Sequence, residues 1–269
     1  MPALILMYHD IADGLEGVPA GHRPYVLDPR IFRRQMESIV AAGLPSLTVE
    51  QWCASSRPPR AVILTFDDGH VSNYKNALPI LLEYRLKATF FITAGFIGNN
   101  PMMDWRQIRA LHAAGMEIGS HTLTHRPPST LDDEALRREL TESRRILEDG
   151  LGSVVNSVSS PTGFFNPRMR DLAQQAGYRA LCIGRVGLAA DDGDMFLLNR
   201  VAVKRPMNER QFRSLLRLDR LTIGSLKSRQ WLRDVARRSF GYNRYVRLRR
   251  ILMKGFAQMS SGQARTNRS

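Results

Sequence analysis

Asp67 and Asp68 stand side by side after the apolar run 61–64, where a buried strand should stop and Gly69 should turn the chain. Two adjacent carboxylates at a strand end are costly beside a core unless something neutralises or uses them. A second stretch offers partners. Residues 116–120 read as another strand, running into His121-Thr122-Leu123-Thr124-His125. If the chain turns helically there, histidines four apart project to one side, a spacing that suits two ligands of one metal ion. One carboxylate and two imidazoles leave coordination positions open for water and substrate, the pattern of a catalytic centre. The bland alternative is an Asp-Asp helix cap and two surface histidines, which leaves the co-occurrence of the two stretches unexplained.

The elements that must position these groups alternate along the chain. Residues 4–7 read as a first strand ending at Tyr8-His9-Asp10, and Asp28 caps a helix with Ile31, Phe32, Met36, Ile39 and Val40 on one face. A short strand at 46–49 precedes the run into Asp67, and a helix over 72–84 is interrupted or restarted at Pro79. Strands at 87–93 and 116–120 flank a helix over 104–114. Thr130 caps a long helix with Leu136, Leu140 and Leu147 inward and Gly150 as its end. A strand over 156–160 feeds Pro161-Thr162-Gly163. Strands at 178–183 and 198–203 and helices at 167–176 and 208–216 follow. Such alternation predicts a parallel sheet, and about eight strands are what a closed barrel needs. In barrels of this kind the chemistry sits at the strand C-terminal ends. His9, Asp67, Asp68, His121 and Pro161 all fall there.

The 269 residues suffice for one large α/β domain with an appendage, and 43% hydrophobic with 24% charged residues excludes a disordered chain. Cys53 and Cys182 match no metal or redox spacing. The apolar N-terminal residues lack a basic leader, and no run approaches a membrane span, so a cytoplasmic location or one at the inner membrane face is expected. The net charge of +14 is uneven: residues 213–269 carry 15 Arg and Lys against Asp219 and Asp234. Within this tail Trp231, Leu232 and Val235 lie near one helical face and Tyr245, Leu248, Ile251 and Leu252 form another, with arginines between. Such basic amphipathic helices suit anionic membrane surfaces; a helix packed on the barrel with a solvated basic face is the alternative. The organisation expected is a domain at 1–212 and a basic helical tail at 213–269.

Thr65-Phe66-Asp67-Asp68-Gly69 and His121-Thr122-Leu123-Thr124-His125 resemble the first and second motifs of the polysaccharide deacetylases of carbohydrate esterase family 4. Lys87-Ala88-Thr89-Phe90-Phe91 and Gly115-Met116-Glu117-Ile118-Gly119-Ser120 resemble the segments between them. The resemblance covers roughly residues 4–212. It implies a distorted (β/α) barrel of about seven to eight parallel strands. It also implies a divalent metal, zinc with Co2+ or Ni2+ as alternatives, held by Asp68, His121 and His125, with Asp67 as general base. The third motif has its counterpart in Pro161-Thr162-Gly163, where the resemblance implies an oxyanion-binding N–H on Thr162. The arginine usual in that motif is absent, as in the exopolysaccharide deacetylases of biofilm-type systems. Arg200, at the position of a recurrent family segment, could brace the site instead or serve as a structural salt-bridge partner. No histidine follows His125, so the usual late general acid is missing. Tyr8-His9 resembles the permuted arrangement of the exopolysaccharide branch, which implies His9 as the acid; a core histidine is the alternative.

The activity implied is removal of N-acetyl groups from amino sugars of a surface polysaccharide or its lipid-linked precursor. Deformylation of a lipid-linked amino sugar and non-catalytic carbohydrate binding are the rivals. Nucleic acid is not an expected partner, because the basic tail carries no reading motif. His70 is expected at the site rim, His22 and His112 in solvent-facing or packing roles, and Trp105, Phe164 and Phe165 as sugar-stacking walls or core.

Overall fold

A computed structural model of the chain describes residues 2–54, 60–163, 165–190 and 193–240, with side chains described to residue 235. Eight short strands form one parallel sheet: β1 (Leu4–Tyr8), β2 (Val62–Phe66), β3 (Ala88–Ile92), β4 (Glu117–Ser120), β5 (Ser157–Ser159), β6 (Ala180–Ile183), β7 (Leu198–Asn199) and β8 (Val201–Ala202). The stub Ser46–Leu47 pairs beside β2. Neighbours run in the order β7-β6-β5-β4-β3-β2-β1-β8.

The two ends of that order are consecutive in sequence, separated only by Arg200. The segment 198–202, expected as one strand, is split between two neighbours. Leu198 and Asn199 pair with Cys182 and Ile183 of β6, while Val201 and Ala202 pair with Leu6 and Met7 of β1. The ring therefore shuts at Arg200, and the first strand lies beside the last. Closure of this kind removes sheet edges that would otherwise expose unpaired backbone groups.

Among the described residues eight α-helices surround or follow the strands: α1 (Pro29–Ala41), α2 (Val49–Ala54), α3 (Leu78–Glu83), α4 (Trp105–Ala113), α5 (Asp133–Leu151), α6 (Pro167–Gln175), α7 (Glu209–Leu216) and α8 (Arg220–Phe240). Pro79 marks a restart: a π-helical turn over Asn73–Ala77 hands over to α3, whose first turn tolerates the missing N–H. α5 begins later than expected. Asp132 and not Thr130 caps it, accepting from the Ala135 N–H at 2.8 Å. Gly150 lies inside this helix, where a Cβ would come 2.1 Å from the Trp105 ring; Gly152, at φ 66°, ends it. Val40, expected inward on α1, is exposed.

Alternation along each strand sorts the core into two layers. Leu4, Leu6, Leu64, Phe66, Phe90 and Ile118 face the helices. Ile5, Ile63, Phe91, Cys182 and Leu198 point into the barrel over Trp52. Further along the same inward rows come Thr65 and Asp67, Ser157 and Ser159, and Arg200. Asp67 and Arg200 thus meet at the strand ends, while at the strand starts the buried Glu117 accepts from Thr89, Ser157 and the Glu50 N–H, so the interior carries a polar cluster at each end.

Phe212, Leu215 and Leu216 of α7 and Ile223 of α8 join the outer core, whereas Leu221, Trp231 and Leu232 of α8 are exposed. The second apolar face expected at Tyr245, Leu248, Ile251 and Leu252 lies outside the described residues. Among the described residues no helix is long and apolar enough to cross a membrane.

Candidate active site

Asp67 leaves β2 into the barrel mouth and meets Arg200, which is fully buried. The guanidinium grips the carboxylate with both arms, Nη1 to Oδ1 at 2.7 Å and Nη2 to Oδ2 at 2.9 Å. The remaining donors are used as well: Nη2 reaches Ser159 Oγ at 2.7 Å, Nη1 reaches Thr65 Oγ1 at 3.2 Å, and Nε reaches the Ile183 carbonyl at 3.3 Å. A buried guanidinium is tolerated only when paired and satisfied in this way. Burial pushes the Asp67 carboxyl up, but Arg200, His121 and His9 outweigh it and hold the acid below its usual range. The seam of the barrel therefore delivers the counter-charge of the first carboxylate.

The second carboxylate turns the other way. Asp68 has φ 76° and directs Oδ1 to the Nε2 atoms of His121 and His125, each 3.3 Å away. The segment carrying these histidines is not helical. It is a loop bent by left-handed residues Thr122 (φ 65°) and His125 (φ 57°), so the pair converges through backbone reversal and not through helical spacing. Asp68, Thr122, His125 and Thr162 all adopt positive φ around one mouth, a concentration of strain that non-glycine residues sustain where function over-determines it.

The donor set fits a divalent ion. Asp68 Oδ1 is buried and lacks a hydrogen bond of good geometry despite its two close neighbours. His121 Nδ1 lies 2.9 Å from the Ser159 carbonyl, which can only accept, so Nδ1 carries a proton and Nε2 faces Asp68. Burial lowers the His121 pKa, but Asp67 and Asp68 raise it more, so without a cation the carboxylates hold a proton there; metal binding displaces such protons. Among the described residues, no other cluster of three His, Cys, Asp or Glu converges this way.

What holds the loop was missed in the sequence. Glu139, buried on α5, accepts the N–H groups of Leu123 at 2.9 Å and Thr124 at 2.8 Å on Oε2, and the Thr124 hydroxyl on Oε1. One helical turn on, Ser143 Oγ lies 2.9 Å from Ser120 Oγ, which accepts the Thr122 N–H at 3.1 Å. The signal was a glutamate on the same face as Leu136 and Leu140, where an unpaired carboxylate would be costly. Glu139→Gln removes the charge that strengthens both N–H contacts and turns the oxygen facing the Thr124 hydroxyl into a donor. It is expected to weaken metal binding about 10–100-fold, the usual effect of an outer-shell change, as read by chelator competition. Unchanged affinity would show that the loop keeps its shape without this carboxylate.

His9 follows β1 and is half-buried. Its ring lies 4.5 Å from Tyr25 and 5.9 Å, edge to face, from His22. Burial lowers its pKa; Asp68 and Asp67 push it back up without reversing the shift, which places the ring within the field of both carboxylates. Its Nδ1 is buried without a hydrogen-bond partner. His22, supplied by the long early loop, sits at the site and not in open solvent: Nε2 is 3.1 Å from Asp10 Oδ2, a hydrogen bond that raises its pKa. His70 completes this rim, 2.8 Å from Ser72 Oγ and 3.8 Å from the other Asp10 oxygen.

Pro161-Thr162-Gly163 forms the opposite lip, tight enough that a Cβ on Gly163 would come 2.8 Å from the Gly184 Cα. Thr162 has φ 62° within this turn. Trp105 lies away from the mouth, packed on Gly150, and His112 is exposed on α4. Phe165 takes the Arg185 guanidinium over its ring at 5.7 Å, while Phe164 lies outside the described residues. Cys182 is buried and Cys53 half-buried.

Comparison with known proteins agrees with this geometry. The profile of the polysaccharide deacetylase family matches residues 54–181, which contain Asp67, Asp68, His121 and His125. YxkH of Bacillus subtilis, named as a polysaccharide deacetylase, is 27% identical over 213 residues, 77% of this chain and 74% of that protein. The poly-β-1,6-N-acetyl-D-glucosamine N-deacetylase of Staphylococcus aureus is 26% identical over 173 residues, 58% of this chain and 60% of that one. The chain spans about half the length of other curated deacetylases it matches, 55% and 54% in two cases. In fold it is similar to the deacetylase PplD of Streptococcus pyogenes, with a TM-score of 0.72 at 24% identity, over 81% of this chain and 97% of PplD. Residues 54–181, which carry the Asp-Asp strand end and the loop-borne histidine pair, match the polysaccharide deacetylase family, and the strands on either side of that span complete the parallel barrel.

Proposed function

We propose that this protein is a metal-dependent N-deacetylase acting on an N-acetylated amino sugar of a surface glycan or its precursor. The observation that carries the reading is the division of labour between adjacent carboxylates: Asp68 faces two imidazoles, while Asp67 is locked to a buried arginine. A divalent ion held by Asp68, His121 and His125, zinc with cobalt or nickel as alternatives, would polarise the acetyl carbonyl and acidify water. Asp67, kept ionised by Arg200, accepts the proton of the attacking water. The Thr162 N–H, on the strained lip, stabilises the carbonyl oxygen as it gains charge. His9 gives a proton to the nitrogen as the C–N bond breaks, releasing acetate and a free amine; a lowered pKa makes its imidazolium the stronger acid. The presence of a second carboxylate, Asp67, beside Asp68 favours catalysis over sugar binding alone, which would need only the metal-facing one.

The names of several relatives support N-acetylglucosamine glycans as the substrate class. The charge of residues 213–269, +13 from their 15 basic and two acidic side chains, together with the exposed Leu221, Trp231 and Leu232, supports attachment to an anionic membrane surface.

One set of measurements tests the reading. The zinc-loaded full chain is expected to release acetate from N-acetylglucosamine oligomers and to sediment with anionic vesicles at low salt. His9→Ala should lose most amide turnover yet retain hydrolysis of 4-nitrophenyl acetate, whose leaving group needs no proton. Acetate release from none of the oligomers would sink the deacetylase reading. Equal loss on amide and ester would remove His9 as the acid, and indifference to vesicles would remove the membrane.

A further inference from the structure

A groove of about 840 Å³ opens between the barrel mouth and α7–α8, far larger than an acetyl group needs. One end is the catalytic lip itself, with Thr162 and Gly163 in its wall and Tyr25, the ring packed on His9, beside them. Its floor and sides are apolar: Met7, Val201, Met207, Leu215 and Leu226, with Leu232 at the outer end. Thr222, Ser225 and Gln211 add polar groups on the α7–α8 side, but the apolar stretch favours hydrocarbon.

The cations are arranged at the edge. Arg229 and Arg233, one helical turn apart on α8, both line the groove and are exposed, and with Lys204 they outnumber the one acidic residue of the lining, Asp234. Lys204 lines it too, its ammonium 4.7 Å over the Tyr25 ring. Paired guanidinium groups suit phosphate oxygens, which they can grip bidentately. Leu221 and Leu232 at the groove and Trp231 on the adjoining face of the helix are 83%, 60% and 64% exposed, an apolar entry from a lipid surface.

We infer that this groove is the aglycone subsite, and that the substrate is an amino sugar joined through phosphate to a lipid chain. The sugar sits at the lip, the phosphate between Lys204 and the α8 arginines, and the hydrocarbon between α7, α8 and the barrel. The sugar end rests on the deacetylase reading above; the lipid-phosphate end does not.

The test is equilibrium binding to the full chain by calorimetry, with farnesyl phosphate, farnesol and inorganic phosphate as separate probes. Farnesyl phosphate is expected to bind at one site, about 10-fold or more tighter than either alternative, because both ends are recognised. Ser225→Trp, which fills the groove from an exposed helix position, and Arg229→Glu with Arg233→Glu should each weaken binding by about 10-fold or more. Equal binding of inorganic phosphate would mean an anion patch only, and equal binding of farnesol an unspecific apolar face; either overturns the inference. So does farnesyl phosphate binding that ignores Ser225→Trp while circular dichroism shows an intact fold. Binding is read without turnover, so failure of the deacetylase reading is a separate result. With acetate release as the readout, Ser225→Trp should raise KM for a farnesyl-phosphate-linked N-acetylglucosamine.

Discussion

Asp67→Asn is expected to lower turnover by about 10²–10⁴-fold, the usual worth of a positioned general base, while metal content stays at the parent level. Asparagine keeps the shape of the side chain but cannot accept the proton of water. The metal should remain because the converging atoms belong to Asp68, His121 and His125. His125→Ala is the contrasting variant: elemental analysis should find it largely stripped. Asparagine also leaves Arg200 without its charge partner, so the assay is made well below the unfolding transition and checked by circular dichroism. Near-normal turnover would make the Asp-Asp pair structural, and loss of metal from Asp67→Asn would make Asp67 a ligand.

Arg200→Met should cost about 3–5 kcal/mol, because it strands a buried carboxylate. For a domain of this size that is a fall in Tm of roughly 6–20 °C. The pH dependence identifies the cause. In the parent protein the folded pKa of Asp67 is depressed, so the stabilisation from the pair is complete above the unfolded value near 4 and is lost as pH falls through the folded pKa. In the variant, burial is unopposed by the guanidinium and the folded pKa rises. The penalty then grows as pH climbs past about 4, so the variant is less stable at pH 8 than at pH 5. Adding Asp67→Asn removes the buried charge and should recover much of the loss. Variant stability independent of pH, or no recovery in the double variant, would show that the pair contributes through packing alone.

Much of this architecture could be read from the chain because inward and outward residues alternate on short strands. Ile63-Leu64-Thr65-Phe66-Asp67 records the pleat directly, and the polar inward residues mark the mouth. The histidine pair was legible as a pair, but its local conformation was not. Spacing by four suggests a helical turn, whereas the chain takes left-handed steps at Thr122 and His125 that their residue types do not announce. Those steps are stabilised from Glu139 and Ser143 on α5, at a sequence distance no local pattern spans. Arg200 was visible as a candidate brace, but not that it interrupts the last strand. Two-residue pairings on either side leave almost no periodicity to read. His22 belongs with Asp10 and His9 only because a loop folds back over the first strand.

The position of Arg200 at the seam also gives the protein an order of events in time. Synthesis delivers both carboxylates and both histidines while roughly the last quarter of the chain is still unmade. A nascent barrel that stops short of residue 200 holds Asp67 in an apolar shell with no guanidinium to keep it ionised. The counter-charge of Asp67 arrives only with the segment that carries β7 and β8 and knits the two margins of the sheet together. If Asp67 is the base proposed above, the residue that shuts the wall is also the one that keeps that base ionised.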